Sequence, residues 1–220
     1  MKRLFLLTGM VLTLLLTGCA KKASYDYTAF KESKPRSILV LPPVNHSPDV
    51  NASHSMLSTV TAPLAEDGFY VFPVAVVEET FKQNGITGAE DIRAVSAAKL
   101  REIFGADAAL YIDITRYGST YMVVSSETRV TANAKLVDLR NGKVLWTGNA
   151  TASDSENDNN NNGGIIGMLV QAAVKQISST ISDKGHDIAG LTSDRLLSAS
   201  QTDGLLYGPR SPNYAKQAMR

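Results

Sequence analysis

Ser37-Ile38-Leu39-Val40-Leu41-Pro42-Pro43 is the stretch that decides the architecture. Four consecutive branched apolar side chains leave no polar face, so this is a strand buried on both sides, as at the centre of a sheet covered by helices. Two prolines close it, because neither carries an N–H for a ladder. Downstream, Met56, Leu57, Val60 and Leu64 recur at three- and four-residue spacing. That spacing predicts a helix capped by Ser53 or Ser55, kinked or shortened at Pro63 and ended by Gly68. Phe69, Tyr70, Val71, Phe72 and Val74 predict a second buried strand, joined to the first by a crossover.

The pattern continues with a helix over 77–83 stopped at Asn84 and Gly85, a helix over 89–104 with a break near Ser96, and a third core strand over 108–114. The apolar face of the long helix draws on Ile92, Val95, Leu100, Ile103 and Phe104. From Ser119 the period becomes two, predicting antiparallel strands over 121–126, 129–139 and 143–150 with a tight turn at Asn141 and Gly142. A two-residue turn and a bulged three-residue turn bury opposite faces, and the sequence leaves both open. Residues 153–164 are Asp, Ser, Glu, Asn and Gly and predict a mobile polar loop. A helix with a broad apolar arc over 165–181 covers the sheet or forms an interface, and the tail from Ile188 reads as partly irregular. The fold class is α/β, a mixed sheet flanked by helices with an antiparallel meander in the second half, as a single domain over 37–220.

The 220 residues carry 22 Lys and Arg against 21 Asp and Glu, a formal charge of +1, which argues against nucleic acid as a partner. Lys2 and Arg3 precede an apolar run over 4–16, the layout of a secretory signal; thirteen residues are too few to span a bilayer, which takes about 20. Leu16-Thr17-Gly18-Cys19 resembles the bacterial lipobox. The resemblance implies removal of residues 1–18 and a diacylglycerol on the Cys19 sulfur, leaving 202 residues. Acyl chains then hold the protein to a membrane without a spanning helix. Ala20 stands where enteric bacteria place an inner-membrane retention aspartate, which favours the outer membrane. Residues 19–36 read as a lipidated tether, with Tyr25, Tyr27 and Phe30 able to dock on the domain instead.

Ser37 to Pro43, the group Pro63, Leu64, Ala65, Gly68, Tyr70, Val71, Phe72 and Pro73, the segment 81–85, Gly105-Ala106-Asp107, and Leu205-Leu206-Tyr207-Gly208-Pro209-Arg210 together resemble a family of Gram-negative lipoproteins of unsettled role, first noticed as genome-derived surface antigens. The resemblance implies a fold similar to the N-terminal domain of the translocation protein TolB. It also implies an envelope location beside lipoproteins similar to the curli-secretion channel component. It carries over no catalytic residue.

Chemistry-bearing groups are sparse. The sequence has neither a phosphate-cradling glycine loop nor a Gly-x-Ser-x-Gly elbow. His46, Asp49 and His54 share the loop after the first strand, where ligands often bind, but their spacing matches no familiar zinc pattern. His186 beside Asp187 reads as a helix-end residue. Asp154, Glu156 and Asp158 begin like a calcium loop, yet Asn159 and Ile165 occupy its glycine and glutamate positions. Trp146, Tyr121, Tyr111 and Phe72 lie on predicted strands, where aromatics are core or cross-strand packing. The expectation is therefore a protein without metal, cofactor or catalytic site, whose one modified residue is Cys19. It would act as an accessory or scaffold for envelope proteins and self-associate through a sheet edge or the late helix. A small-ligand or glycan module using 45–53 with 153–164 as rim is the second expectation, and an envelope hydrolase the third.

Overall fold

The computed structural model describes residues 25–121, 126–158 and 184–219. The expected signal segment, Cys19, the far half of the expected polar loop and the helix expected over 165–181 lie outside them. Strand β1, Ser37–Val40, sits as its sequence predicts: Ile38 and Val40 enter one apolar core, Leu39 and Leu41 the other, and none is more than 2% exposed. Leu41 extends the ladder, its N–H donating to Leu110 O at 3.1 Å. Pro42 and Pro43 interrupt it, and the chain resumes against the same neighbour as β2, Val44–Asn45.

The other strands are β3 (Tyr70–Val71), β4 (Ala108–Arg116), β5 (Ser119–Tyr121), β6 (Ser126–Asp138) and β7 (Val144–Ser153). β1 lies parallel between β3 and β4; β6 is antiparallel to β4, β5 and β7. The result is a mixed sheet with an antiparallel meander. Helices α1 (Thr28–Ser33), α2 (Ala52–Thr59), α3 (Thr61–Glu66) and α7 (Lys184–Leu197) cover one face. Helices α4 (Val74–Gln83), α5 (Ala89–Arg93) and α6 (Ala97–Phe104) cover part of the other through Val77, Phe81, Ile92 and Leu100. The break near Ser96 is real, and Ser96 caps α6 by accepting the Lys99 N–H at 3.3 Å. Among the described residues no helix is long and apolar enough to cross a membrane.

Several expectations are corrected. The helix after β2 starts at Ala52 behind Asn51, and the Ser53 hydroxyl donates to the Pro43 carbonyl, so neither serine caps it. It breaks at Val60, since Pro63 has no N–H to offer the Thr59 carbonyl. The second strand shrinks to Tyr70–Val71, with Tyr70 45% exposed, because it is an edge and Pro73 opens α4 three residues earlier than expected. Ile103, assigned to an apolar face, is 42% exposed. Of the tail from Ile188, the part to Leu197 belongs to α7, whose buried side includes Ile188, Ala189, Thr192, Ser193, Leu196 and Leu197, while residues 198–213 are irregular as expected.

The β6–β7 turn is neither of the two forms left open. Asp138 N–H donates to Lys143 O at 2.9 Å and Gly142 N–H to Asp138 O at 2.8 Å, enclosing four residues, with Gly142 at φ +74°. A bulge follows: Leu136 pairs Trp146 and Val137 pairs Val144, so Leu145 is the extra residue. Leu145 and Trp146 consequently both enter the same core.

From Tyr25 onward the chain takes the second of its two expected forms and docks on the domain. Phe30 is 3% exposed against Phe69, the Tyr27 hydroxyl donates to Gly204 O, and Thr147 N–H donates to the Tyr25 hydroxyl at 2.8 Å. Ser33 donates to the buried Asp138 carboxylate at 2.7 Å, and Arg140 binds the same group at 2.7 and 3.0 Å. Burial pushes the Asp138 carboxyl up, but these hydrogen bonds outweigh it and hold the group below the ordinary carboxylate range. Residues 25–36 are a strap bolted to the domain.

The tail is latched by Asp67, which accepts Ala199 N–H at 2.6 Å on its carboxylate and Gly208 N–H at 2.7 Å on its carbonyl. Burial raises this carboxyl to about 6, against the lowering effect of the Ala199 bond, with Glu66 adding repulsion. The folded state then binds the proton more tightly than the unfolded one, so Asp67 lowers stability progressively as pH rises from about 4 to about 6. Asp67→Asn keeps an acceptor and removes the charge. Above pH 7 it stabilises the protein by on the order of 1 kcal/mol after solvent screening, and near pH 4 it changes little. Urea titrations at both pH values check this; a difference independent of pH contradicts it.

Candidate functional site

The residues expected to form a site are kept apart. His46 Nε2 lies 3.4 Å from Asp113, His54 Nδ1 lies 3.9 Å from Glu78, and Asp49 accepts Asn51 N–H at 2.9 Å. The loop is satisfied within itself: Asn45 accepts Ser47 N–H and hydroxyl at 2.8 and 2.7 Å and donates to Asp49 O at 2.7 Å. Among the described residues no three His, Cys, Asp or Glu side chains converge as metal ligands. The acidic trio also diverges. Asp154 accepts Thr128 N–H at 2.8 Å, Glu156 pairs with Arg195 at 2.8 Å, and residues 154–158 form a short 3-10 helix. Phe72 packs on the second core, Trp146 is 1% exposed, and the Tyr121 side chain lies outside the described residues.

His186 was read as a helix-end residue, and it does start α7, but its Nδ1 lies 3.0 Å from Ser55 Oγ, which accepts the Tyr117 hydroxyl at 2.8 Å. The Ser55 hydroxyl has both a proton and a second lone pair for His186, so the imidazole tautomer sets which of the two donates. Gly185 permits the approach, since a Cβ there would stand 2.7 Å from the Tyr117 ring. This relay joins α2, the end of β4 and α7 across 131 residues of sequence. No local pattern signals it.

What the sheet does assemble is a polar ladder on the part of its face that α4–α6 leave uncovered. Register places Asp113 opposite Asn133 and Asn133 opposite Asn149; one rung away, Tyr111 faces Lys135 and Lys135 faces Thr147. Arg93, from α5, clamps Asp113 through both guanidinium nitrogens, one at 2.9 Å. Burial pushes the Asp113 carboxyl up, but Arg93 and His46 outweigh it and hold it ionised below its ordinary range. Lys135 Nζ stands 5.3 Å over the Tyr111 ring and Arg93 at 6.0 Å from it. Asn133, Thr147 and Asn149 are exposed beside this cluster and line a shallow cavity of about 350 Å³ with it. Amides, a hydroxyl, a ring and cations in two rows suit a polar extended ligand. Alternation over 129–139 and 143–150 marks an outward polar face; the cross-strand pairing needs the register.

The family model described as "Putative lipoprotein GNA1162-like" matches residues 25–210. The chain belongs to this family. It is 52% identical over 207 residues, 93% of this chain and 95% of the relative, to "Putative lipoprotein NMB1124/NMB1162" of Neisseria meningitidis serogroup B, strain MC58. The crystal structure of lipoprotein GNA1162 from Neisseria meningitidis is similar at 57% identity and a TM-score of 0.55, covering 66% of this chain and all of that one. The C-terminal domain of LpoB from Salmonella enterica is a distant likeness, 17% identical with a TM-score of 0.39 over 58% of this chain and 98% of that one. The family resemblance read from Ser37–Pro43, Gly105–Asp107 and the closing Leu205–Arg210 segment is thus met, and its fold is a mixed sheet flanked by helices.

Proposed function

We propose that this chain is a lipoprotein anchored through acylated Cys19 in the outer membrane, its domain facing the periplasm and acting without catalysis as an accessory in a cell-envelope or secretion assembly. Membership of a lipoprotein family, together with the Leu16–Cys19 lipobox six residues before the strap, carries this reading. The partners are other envelope proteins, including lipoproteins similar to the curli-secretion channel component, and further copies of the chain. Pairing through the β7 edge is disfavoured as the route of self-association. That edge already gives Thr147 N–H to Tyr25 and Thr151 O to Arg195, at 2.8 Å each. Crosslinking in intact cells followed by mass spectrometry tests the proposal; recovery of abundant bystanders alone sinks it. Replacing His46, Asp49 and His54 together leaves the cellular phenotype unchanged on this reading, and its loss would revive a hydrolase.

A second reading, a glycan-binding envelope module, is favoured by the ladder rather than by the loop first expected to carry it. Wall fragments bound at a hundredfold excess over Kd would stabilise the fold by about 2.7 kcal/mol, visible as a raised melting temperature. Asn133→Ala with Asn149→Ala abolishes that rise; a rise that survives the double variant places the ligand elsewhere.

A further inference from the structure

The strap fixes where the anchor enters the domain. Cys19 precedes Tyr25 by six residues, a reach of at most about 20 Å when fully extended. The strap runs from Tyr25, held at Thr147 within β7, to Ser33, which is bound with Asp138 and Arg140 at the end of the sheet where β1 and β4 begin and β6 meets β7. Asp107 belongs to the same end and accepts the Arg36 and Ser37 N–H groups at 3.0 and 3.2 Å. Tyr25, where the linker leaves, is held at Thr147, three residues or about 10 Å from the start of β7 and six residues or about 20 Å from its finish, so this end of the sheet is the nearer one to Cys19.

Charge divides along the same axis. At the anchored end, residues 31–37, 105–107 and 138–143 hold five cations against three carboxylates. Arg140 pairs with Asp138 and Lys143 with Glu32, while Lys34 and Arg36 make no ion pair among the described residues. At the far end, residues 45–51, 116–119, 126–129, 153–156 and 184–187 hold three cations against five carboxylates. A groove of about 460 Å³ lined by Phe30, Pro35, Leu206 and Tyr214 lies beside Lys31 and Lys34 at the basic end.

We infer that the basic end, carrying Lys31, Lys34, Arg36 and the 139–142 turn, docks on an anionic phospholipid surface, so that the domain stands upright with the His46–Asn51 loop and the start of α7 pointing away from the membrane. The inference rests on acylation of Cys19, since only a short covalent link puts this end within a few Debye lengths of headgroups. Basic groups at such a surface are attracted individually, and the acidic far end is repelled.

The test uses the acylated full-length protein in vesicles of phosphatidylcholine with about one-third phosphatidylglycerol, a charge density high enough to attract single lysines. Cys19 is the chain's one cysteine, so with it acylated a single thiol at Asn141→Cys or Val50→Cys takes an environment-sensitive dye. Both positions are exposed, Val50 at 83% on the far loop. A spin-labelled headgroup lipid quenches the Asn141 site strongly and the Val50 site barely. Lys34→Glu with Arg36→Glu lowers the quenched fraction at Asn141 by about fivefold or more. Equal quenching at both sites, quenching at neither, or indifference to the double reversal overturns the orientation while leaving the anchor intact. An N-terminal peptide lacking the diacylglycerol mass overturns the anchor, and the orientation with it.

Discussion

Trp146→Ala lowers the unfolding free energy by about 4 kcal/mol, within the range for truncating a buried tryptophan. The ring is 1% exposed, and the β7 bulge turns both Leu145 and Trp146 into one core, so truncation leaves a large cavity among buried side chains. Its Nε1–H also donates to Asp203 O at 2.9 Å, fastening the segment before Gly204 to the sheet. Gly148 is part of the same fit: a Cβ there would lie 2.2 Å from the indole. Trp146→Phe keeps most of the volume and loses the hydrogen bond, costing roughly 1–2 kcal/mol for that bond alone. Urea unfolding followed by far-UV circular dichroism reads both, since the single tryptophan is removed. A loss below about 1 kcal/mol for the alanine variant would contradict the packing described.

Gly68→Ala costs about 3 kcal/mol, combining a left-handed backbone penalty with a forced displacement. Gly68 has φ +92°, and an added Cβ would stand 2.2 Å from Ser211 N, a main-chain atom that cannot rotate away. The tail must lift, releasing the bonds from Gly208 N–H to Asp67 O and from Arg210 N–H to Gly68 O. Limited proteolysis therefore cuts the variant after residue 204 faster than the parent. Gly85→Ala is the matched control: φ is +76° but nothing lies within 4 Å, so only the backbone penalty of roughly 1–2 kcal/mol remains. Equal losses at the two positions would show that the close approach of the tail has no energetic weight.

These two cases also mark where sequence reading succeeds and stops. β1 was legible because burial on both faces needs an unbroken apolar run, and the break at Ser96 because a serine that caps a helix also interrupts it. α7 was not, since its buried side passes through Thr192 and Ser193, both 0% exposed. Their hydroxyls are satisfied by Ile188 O at 2.8 Å and Thr59 Oγ1 at 2.7 Å, so they occupy core positions that apolar counting scores as polar. Docking of Tyr25, Tyr27 and Phe30 was open in the sequence, but not what they dock on, since Tyr25, Tyr27 and Ser33 find their partners more than 100 residues away.

The candidate ladder follows the same division. Outward polarity of Asn133, Lys135, Thr147 and Asn149 is written in the alternation of two strands, a local property of the chain. Which of them stand side by side, and with Arg93 and Asp113, depends on strand register and on a helix from another part of the chain. By itself the sequence determined the central strand, the helix ends before Asn84 and Gly105, the break at Ser96 and the family, because each is a pattern among near neighbours. The bulge that buries Leu145 with Trp146, the bolted strap, the Ser55–His186 relay and the basic end were decided only by tertiary structure. Each joins groups whose separation along the chain says nothing about their distance in space.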